Sequence, residues 1–259
     1  MLWRRHWQEM RWLTLFCAIA ILALTWFLFS ELPLTEPIYD PAVPGSVAQR
    51  VYHLGRVPFV RSVGGYLTIA LPATLFVCAI LFGIGGPGHE RSSGTVSFTL
   101  SLPFSRRRLV LSRFLAGYAA LAALVLGALG VVAIWAAALG TGSEFNLVTA
   151  AEVSCGLIAG AGAVYSFTYL GANVTGNTIR AIATSLTLLV VLELGINQYD
   201  GRVDSRAATV LRLFDMPRLM SGQVFLRGGP FPWQGVGIAV GLSLAFLLIT
   251  TRWVERHDF

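Results

Sequence analysis

Gly88-His89-Glu90-Arg91-Ser92-Ser93-Gly94-Thr95, then Val96 to Leu102, then Pro103-Phe104-Ser105-Arg106-Arg107-Arg108, lies between two long apolar runs. Thr95 to Leu102 carries apolar residues at Val96, Phe98, Leu100 and Leu102, and Ser92 or Ser93 is placed to cap a short helix there. Pro103 ends it, because the residue before a proline is pushed out of the α region. Ser105 is placed to cap a second helix, which runs through Leu109 into the next apolar run. A short helix flanked by charges, held between membrane segments, is a handle for something outside the bilayer. The competing reading is a solvated basic loop that only fixes topology.

The rest of the chain says what the stretch is embedded in. Of 259 residues, 55% are hydrophobic and 12% charged. Soluble domains carry about 25% charge, so the composition is that of an integral membrane protein. The pattern predicts an all-α integral membrane protein, a single transmembrane domain over 1–259, with six spans at about 13–29, 65–86, 114–139, 147–170, 181–196 and 233–251. At about 1.5 Å per residue these runs match a hydrocarbon core of about 30 Å, with the fifth span short. Trp3, Trp7 and Met10 share one face of a helix among charges, which predicts an N-terminal interfacial elbow helix. No small-residue cleavage site follows, so 13–29 reads as an uncleaved span. Ser205 to Met216 has the pattern of a short amphipathic helix on the far surface.

Every basic side chain apart from histidine is arginine; no lysine occurs. A Walker A loop needs its lysine on the nucleotide phosphates, so any ATP used here is hydrolysed on another polypeptide. The net charge of +6 is not a nucleic-acid signal, because the arginines sit in short loops beside apolar runs. The two termini and the loops after spans two and four hold 11 of the 19 arginines. The positive-inside bias therefore places the termini, and Gly88 to Arg113, in the cytoplasm.

No catalytic constellation is visible: there is no Gly-x-Ser-x-Gly elbow and no His-Glu-x-x-His pair. Cys17, Cys78 and Cys155 lie in apolar runs and read as small buried hydrophobes; the four histidines are scattered and predict no metal site. Glu152 and Glu193 are the carboxylates at or near membrane depth, with Asn197 one turn beyond Glu193. Ionisable groups there are candidates for a substrate path, or they reach water at the interface. The pairs Gly156/Gly160 and Gly237/Gly241 have the spacing of closely packed helices, within one chain or between two.

The run Glu90, Gly94-Thr95, Leu100-Ser101-Leu102-Pro103-Phe104-Ser105-Arg106-Arg107-Arg108 resembles the loop between spans two and three of ABC transporter permeases of the type-2 exporter family. The ending Glu255-Arg256-His257-Asp258-Phe259 is also similar to one common there. The resemblance implies a non-catalytic permease subunit of an ATP-driven exporter, in a bacterial or archaeal plasma membrane. It implies a coupling helix between spans two and three, with Glu90, Arg91, Gly94, Thr95, Phe98, Leu102, Pro103, Ser105, Arg106, Arg107 and Arg108 as ATPase-coupling residues. It implies two copies of an ABC ATPase holding ATP and Mg, a second permease copy or a homologous permease, and contact with membrane lipid. Among the three arginines of the triplet, at least one is expected to meet anionic lipid. An ion-coupled secondary transporter and a membrane-embedded enzyme or assembly factor are the alternatives. No internal repeat of the kind common in secondary transporters is evident.

Overall fold

The computed structural model describes residues 2–30, 70–84, 105–138, 147–200, 219–220 and 231–256; in 2–9, 27–30, 135–138, 147–149, 189 and 192–200 only the helical backbone is described. These residues form six α-helices: α1 (Leu2–Ser30), α2 (Leu71–Ile84), α3 (Arg106–Ala138), α4 (Leu147–Thr175), α5 (Thr178–Asp200) and α6 (Trp233–Arg256). No strand occurs among the described residues. Within α3, α4 and α6, the segments Arg106–Ile134, Ala150–Thr175 and Trp233–Arg256 are long and apolar enough to cross a membrane. Met10–Trp26 and Leu71–Ile84 are shorter apolar helices.

The surface of the bundle explains its solvent. Leu126, Ile134, Leu244 and Leu248 are all more than half exposed, and no charged residue occurs between Phe114 and Ala138. A helix that turns leucine and isoleucine outward along several turns is facing hydrocarbon. Packing inside such a bundle gains little from the hydrophobic effect. Close fit and internal hydrogen bonds hold it instead. Hydroxyls follow that rule: Thr25, Ser166, Thr168, Ser243 and Thr251 each donate to the carbonyl four residues earlier, at 2.6 to 3.0 Å. A serine or threonine in these helices thus satisfies itself before the helix is packed.

Helix α4 is the centre and touches α2, α3, α5 and α6. Small residues let its neighbours approach. A Cβ on Gly83 of α2 would lie 2.7 Å from the Thr168 Cβ of α4. On the α3 side the fit is reciprocal: Tyr165 of α4 lies over Gly117, and Tyr118 of α3 lies over Gly162. Phe114, Tyr118, Tyr165 and Tyr169 form one aromatic cluster, with ring centroids 5.2 to 6.5 Å apart. Gly156 packs as well, with Leu219 O only 3.3 Å from where its Cβ would be. Leu219 and Met220, from the long segment between α5 and α6, are both buried in the core. Gly237 and Gly241 face open space within this chain.

Three expectations change. Helix α1 is unbroken from Leu2 to Ser30, so the N-terminal residues continue the first helix rather than form a separate interfacial element. Met10-Arg11-Trp12-Leu13 contains no glycine, proline or cap that would break it. Helix α5 extends past both ends of the predicted fifth span and has 23 residues, about 34 Å. Cys155 is exposed, unlike Cys17 and Cys78. The proposed surface helix at 205–216 lies outside the described residues.

Candidate functional site at the base of the third helix

Helix α3 grows from a defined start. Ser105 Oγ accepts from Arg108 N at 3.4 Å, and Leu109 N donates to Ser105 O at 3.2 Å. This is the cap expected from the sequence. With 33 residues the helix is about 50 Å long, some 20 Å more than a bilayer core, so its first turns can project beyond the hydrocarbon.

That base is locked to α4. The Tyr169 hydroxyl donates to Val110 O at 3.2 Å, and the Tyr165 hydroxyl donates to Phe114 O at 3.1 Å. Both tyrosines are buried and both acceptors are main-chain carbonyls of α3, one turn apart. The order of the pairs makes α3 and α4 antiparallel. Arg113, between the two bonded positions, is itself 6% exposed. The sequence reading passed over it by placing the span start at 114. Arg113 stands seven residues after Arg106, on the same helical face as Val110, but that register does not by itself distinguish a buried arginine from a boundary charge.

The next corner is equally defined. Helix α4 ends at Gly176, whose φ of 59° is the left-handed conformation glycine adopts without strain. Gly176 N donates to Ala172 O at 3.1 Å. Asn177 Oδ1 then accepts from Ile179 N at 2.9 Å and Arg180 N at 3.3 Å, capping α5. Thr168 and Ser185 hydroxyls, 3.0 Å apart, join the two helices. Because α5 turns back immediately, it starts at the same end of the bundle as α3. Asn173, in the last turn of α4, is 1% exposed; its Nδ2 donates to Tyr169 O at 2.7 Å and its Oδ1 has no partner.

Of the expected coupling residues, Ser105, Arg106, Arg107 and Arg108 lie at this base, with Arg106 half-buried and the others exposed. Glu90, Arg91, Gly94, Thr95, Phe98, Leu102 and Pro103 lie outside the described residues. Glu152 is half-buried on α4 toward the opposite end, and Glu193 and Asn197 are in the helical backbone of α5. Counted from the turn at Gly176–Asn177, Glu152 is about 36 Å along α4 and Glu193 about 24 Å along α5. The two positions are therefore about 12 Å apart in level along their helices. No group of three or more potential metal-ligating His, Cys, Asp or Glu side chains occurs among the described residues.

The arrangement is that of a polytopic helical membrane protein with a rigid, arginine-rich base beneath its third helix. A family model described as ABC-2 family transporter protein matches residues 12–205. The match spans α1 through α5 and well over half of the chain, so the chain belongs to the ABC-2 transporter family and is a permease component of an ABC transporter. No curated protein matches it.

Proposed function

We propose that this chain is the translocation subunit of an ATP-driven exporter, and that Gly88 to Arg108 docks a separate ATPase. Family membership supports the transporter class, since permeases of this family generally work with an ABC ATPase and are typically non-catalytic themselves. The observation that carries the coupling role is the tie between the base of α3 and α4 through Tyr165 and Tyr169. A force applied at Ser105 to Arg108 reaches the central helix within two turns, without a flexible joint. Helix α4 in turn contacts α2, α5 and α6, so a small displacement of that base moves the bundle as a unit.

In this reading Glu90, Arg91, Gly94, Thr95, Phe98, Leu102 and Pro103 form the docking helix and its flanks. Ser105 fixes where α3 starts, and Arg106 and Arg107 meet acidic groups of the ATPase. ATP and Mg are held by the partner, in two copies, and two permease chains enclose the path. The termini and the α3 base are cytoplasmic, in the plasma membrane of a bacterium or archaeon, and substrate moves outward. Glu152, Glu193 and Asn197 are the candidate polar residues of the path. The direct test is affinity capture of the tagged chain from its host after mild extraction. A stoichiometric Walker-motif ATPase should co-purify and be lost with Leu102→Asp or Arg107→Glu, while the variants keep the parent's melting temperature. Intact, abundant permease without an ATPase would overturn the reading.

A further inference from the structure

Five arginines share one level of the bundle, and three of them, Arg108, Arg180 and Arg252, lie in line with outward-facing residues. Helix α6 runs parallel to α4: Phe231, just before α6, lies 4.0 Å from where a Gly156 Cβ would be, and Phe246 meets Phe167 edge to face with ring centroids 5.5 Å apart. Helix α3 runs antiparallel to α4 through the Tyr165 and Tyr169 bonds. Measured from Phe167 toward the base, Arg108 of α3 lies about 6 Å down, and Arg252 of α6 about 9 Å. Arg180, just past the turn that starts α5, also falls about 9 Å down. All three side chains are exposed.

Their faces coincide with the outward faces of their helices. Arg108 is in line with Leu115 and Leu126, Arg180 with Thr187 and Val191, and Arg252 with Ala245 and Leu248, all of them exposed. Arg106, by contrast, is half-buried on the opposite face of α3, the face of Val110. Glu255 is the acid nearest this level among the residues whose side chains are described. A general excess of cations at one end only fixes topology and needs no particular face. Here the cations terminate the stripes that face hydrocarbon, where the phosphates of the surrounding lipid lie.

We propose that Arg108, Arg180 and Arg252 form a collar that binds the phosphate headgroups of anionic phospholipids. Each guanidinium offers paired N–H donors to phosphate oxygens, and the apolar residues above it lie along the acyl chains. The collar assigns Arg108 to lipid and leaves Arg106 and Arg107 to the base proper. It depends on the chain spanning the membrane and not on ATPase docking.

The test uses the full-length protein, with whatever partner co-purifies, reconstituted in vesicles of phosphatidylcholine alone or with an equal part of phosphatidylglycerol. After mild re-extraction, lipids retained per chain are counted by mass spectrometry. Phosphatidylglycerol should be retained in preference to phosphatidylcholine, and the preference should fall about fivefold for each of Arg108→Gln, Arg180→Gln and Arg252→Gln. Arg227→Gln, on the segment before α6, should leave it unchanged. The triple lysine variant, which keeps charge and folds as the parent does, should retain most of the preference. Equal retention of the two lipids would overturn the collar, as would unchanged preference in the glutamine variants. Loss of a co-purified ATPase in those variants, with lipid retention intact, would assign the arginines to the protein partner and also overturn it.

Discussion

Tyr165 and Tyr169 are each asked to do two things, to fill the α3–α4 interface and to place a hydroxyl on a main-chain carbonyl. Tyr169→Phe keeps the ring and removes one bond, so it should cost about 1 kcal/mol. Unfolding in detergent followed by circular dichroism reads that difference. Gly117→Ala should cost more, about 1 to 3 kcal/mol, because the added Cβ would sit 2.8 Å from the buried Tyr165 Cζ. Gly237→Ala meets nothing within 4 Å and should stay within about 0.5 kcal/mol for the single chain. If Gly117→Ala proved as mild as Gly237→Ala, the reciprocal tyrosine-on-glycine fit would be wrong. Nothing in the sequence separated these glycines. Gly237 and Gly241 had the same four-residue spacing as Gly156 and Gly160, and spacing does not reveal which face of a helix meets a neighbour.

Among the elements, the α4–α5 corner is the one whose chemistry is fully local. Gly176→Ala forces a side chain into the left-handed region and should destabilise by about 1 to 2 kcal/mol. Asn177→Ala removes the cap of α5 at a cost of about 1 kcal/mol. Because both act on one turn, the double variant should fall short of the sum of the two; full additivity in a melting series would show that the turn does not act as a unit. The caps at this corner were not read from the sequence, which ended the fourth span at 170 and began the fifth at 181, but the cap of α3 was. Ser105 was readable as a cap because it follows Pro103 and precedes an apolar run. The break between α1 and a separate elbow was not there to be read, since an amphipathic face at Trp3, Trp7 and Met10 is compatible with one long helix. Arg113 was missed because a charge beside an apolar run reads as its boundary, whereas a tertiary neighbour can cover it and extend the helix past it. The burial of Leu219 and Met220 likewise depends on where α4 and α6 meet, which local pattern does not encode.

At the scale of the molecule, one core of apolar and aromatic residues joins α1 through α4 and α6, and the outward surface is left to lipid. Cysteine chemistry reports that division. In detergent at alkaline pH, where thiolate forms, Cys155, exposed on α4, should react with maleimide well before Cys17 and Cys78, which are at 1% and 3% exposure and should stay free until the protein unfolds. Rapid labelling of all three in the folded protein would contradict the packing of α1 on α2. The all-helical membrane character and the family were legible from hydrophobic runs and from Gly94-Thr95, Leu102-Pro103 and Ser105-Arg106, because these features depend on neighbours in sequence. Which helix is central was not, because the apolar window of α4 is no more hydrophobic than those of α3 and α6; it is central through the glycines and tyrosines that fit it to them. In the proposed function a separate ATPase engages the segment leading into α3. A photoreactive residue placed at Ser101 and illuminated in native membranes reports that contact, with the same probe at Ile134 near the other end of α3 as its counterpart. A crosslink to a Walker-motif ATPase is expected from position 101 and none from 134. A crosslink to that ATPase from 134, or no ATPase from either position in a fully expressed protein, would contradict it.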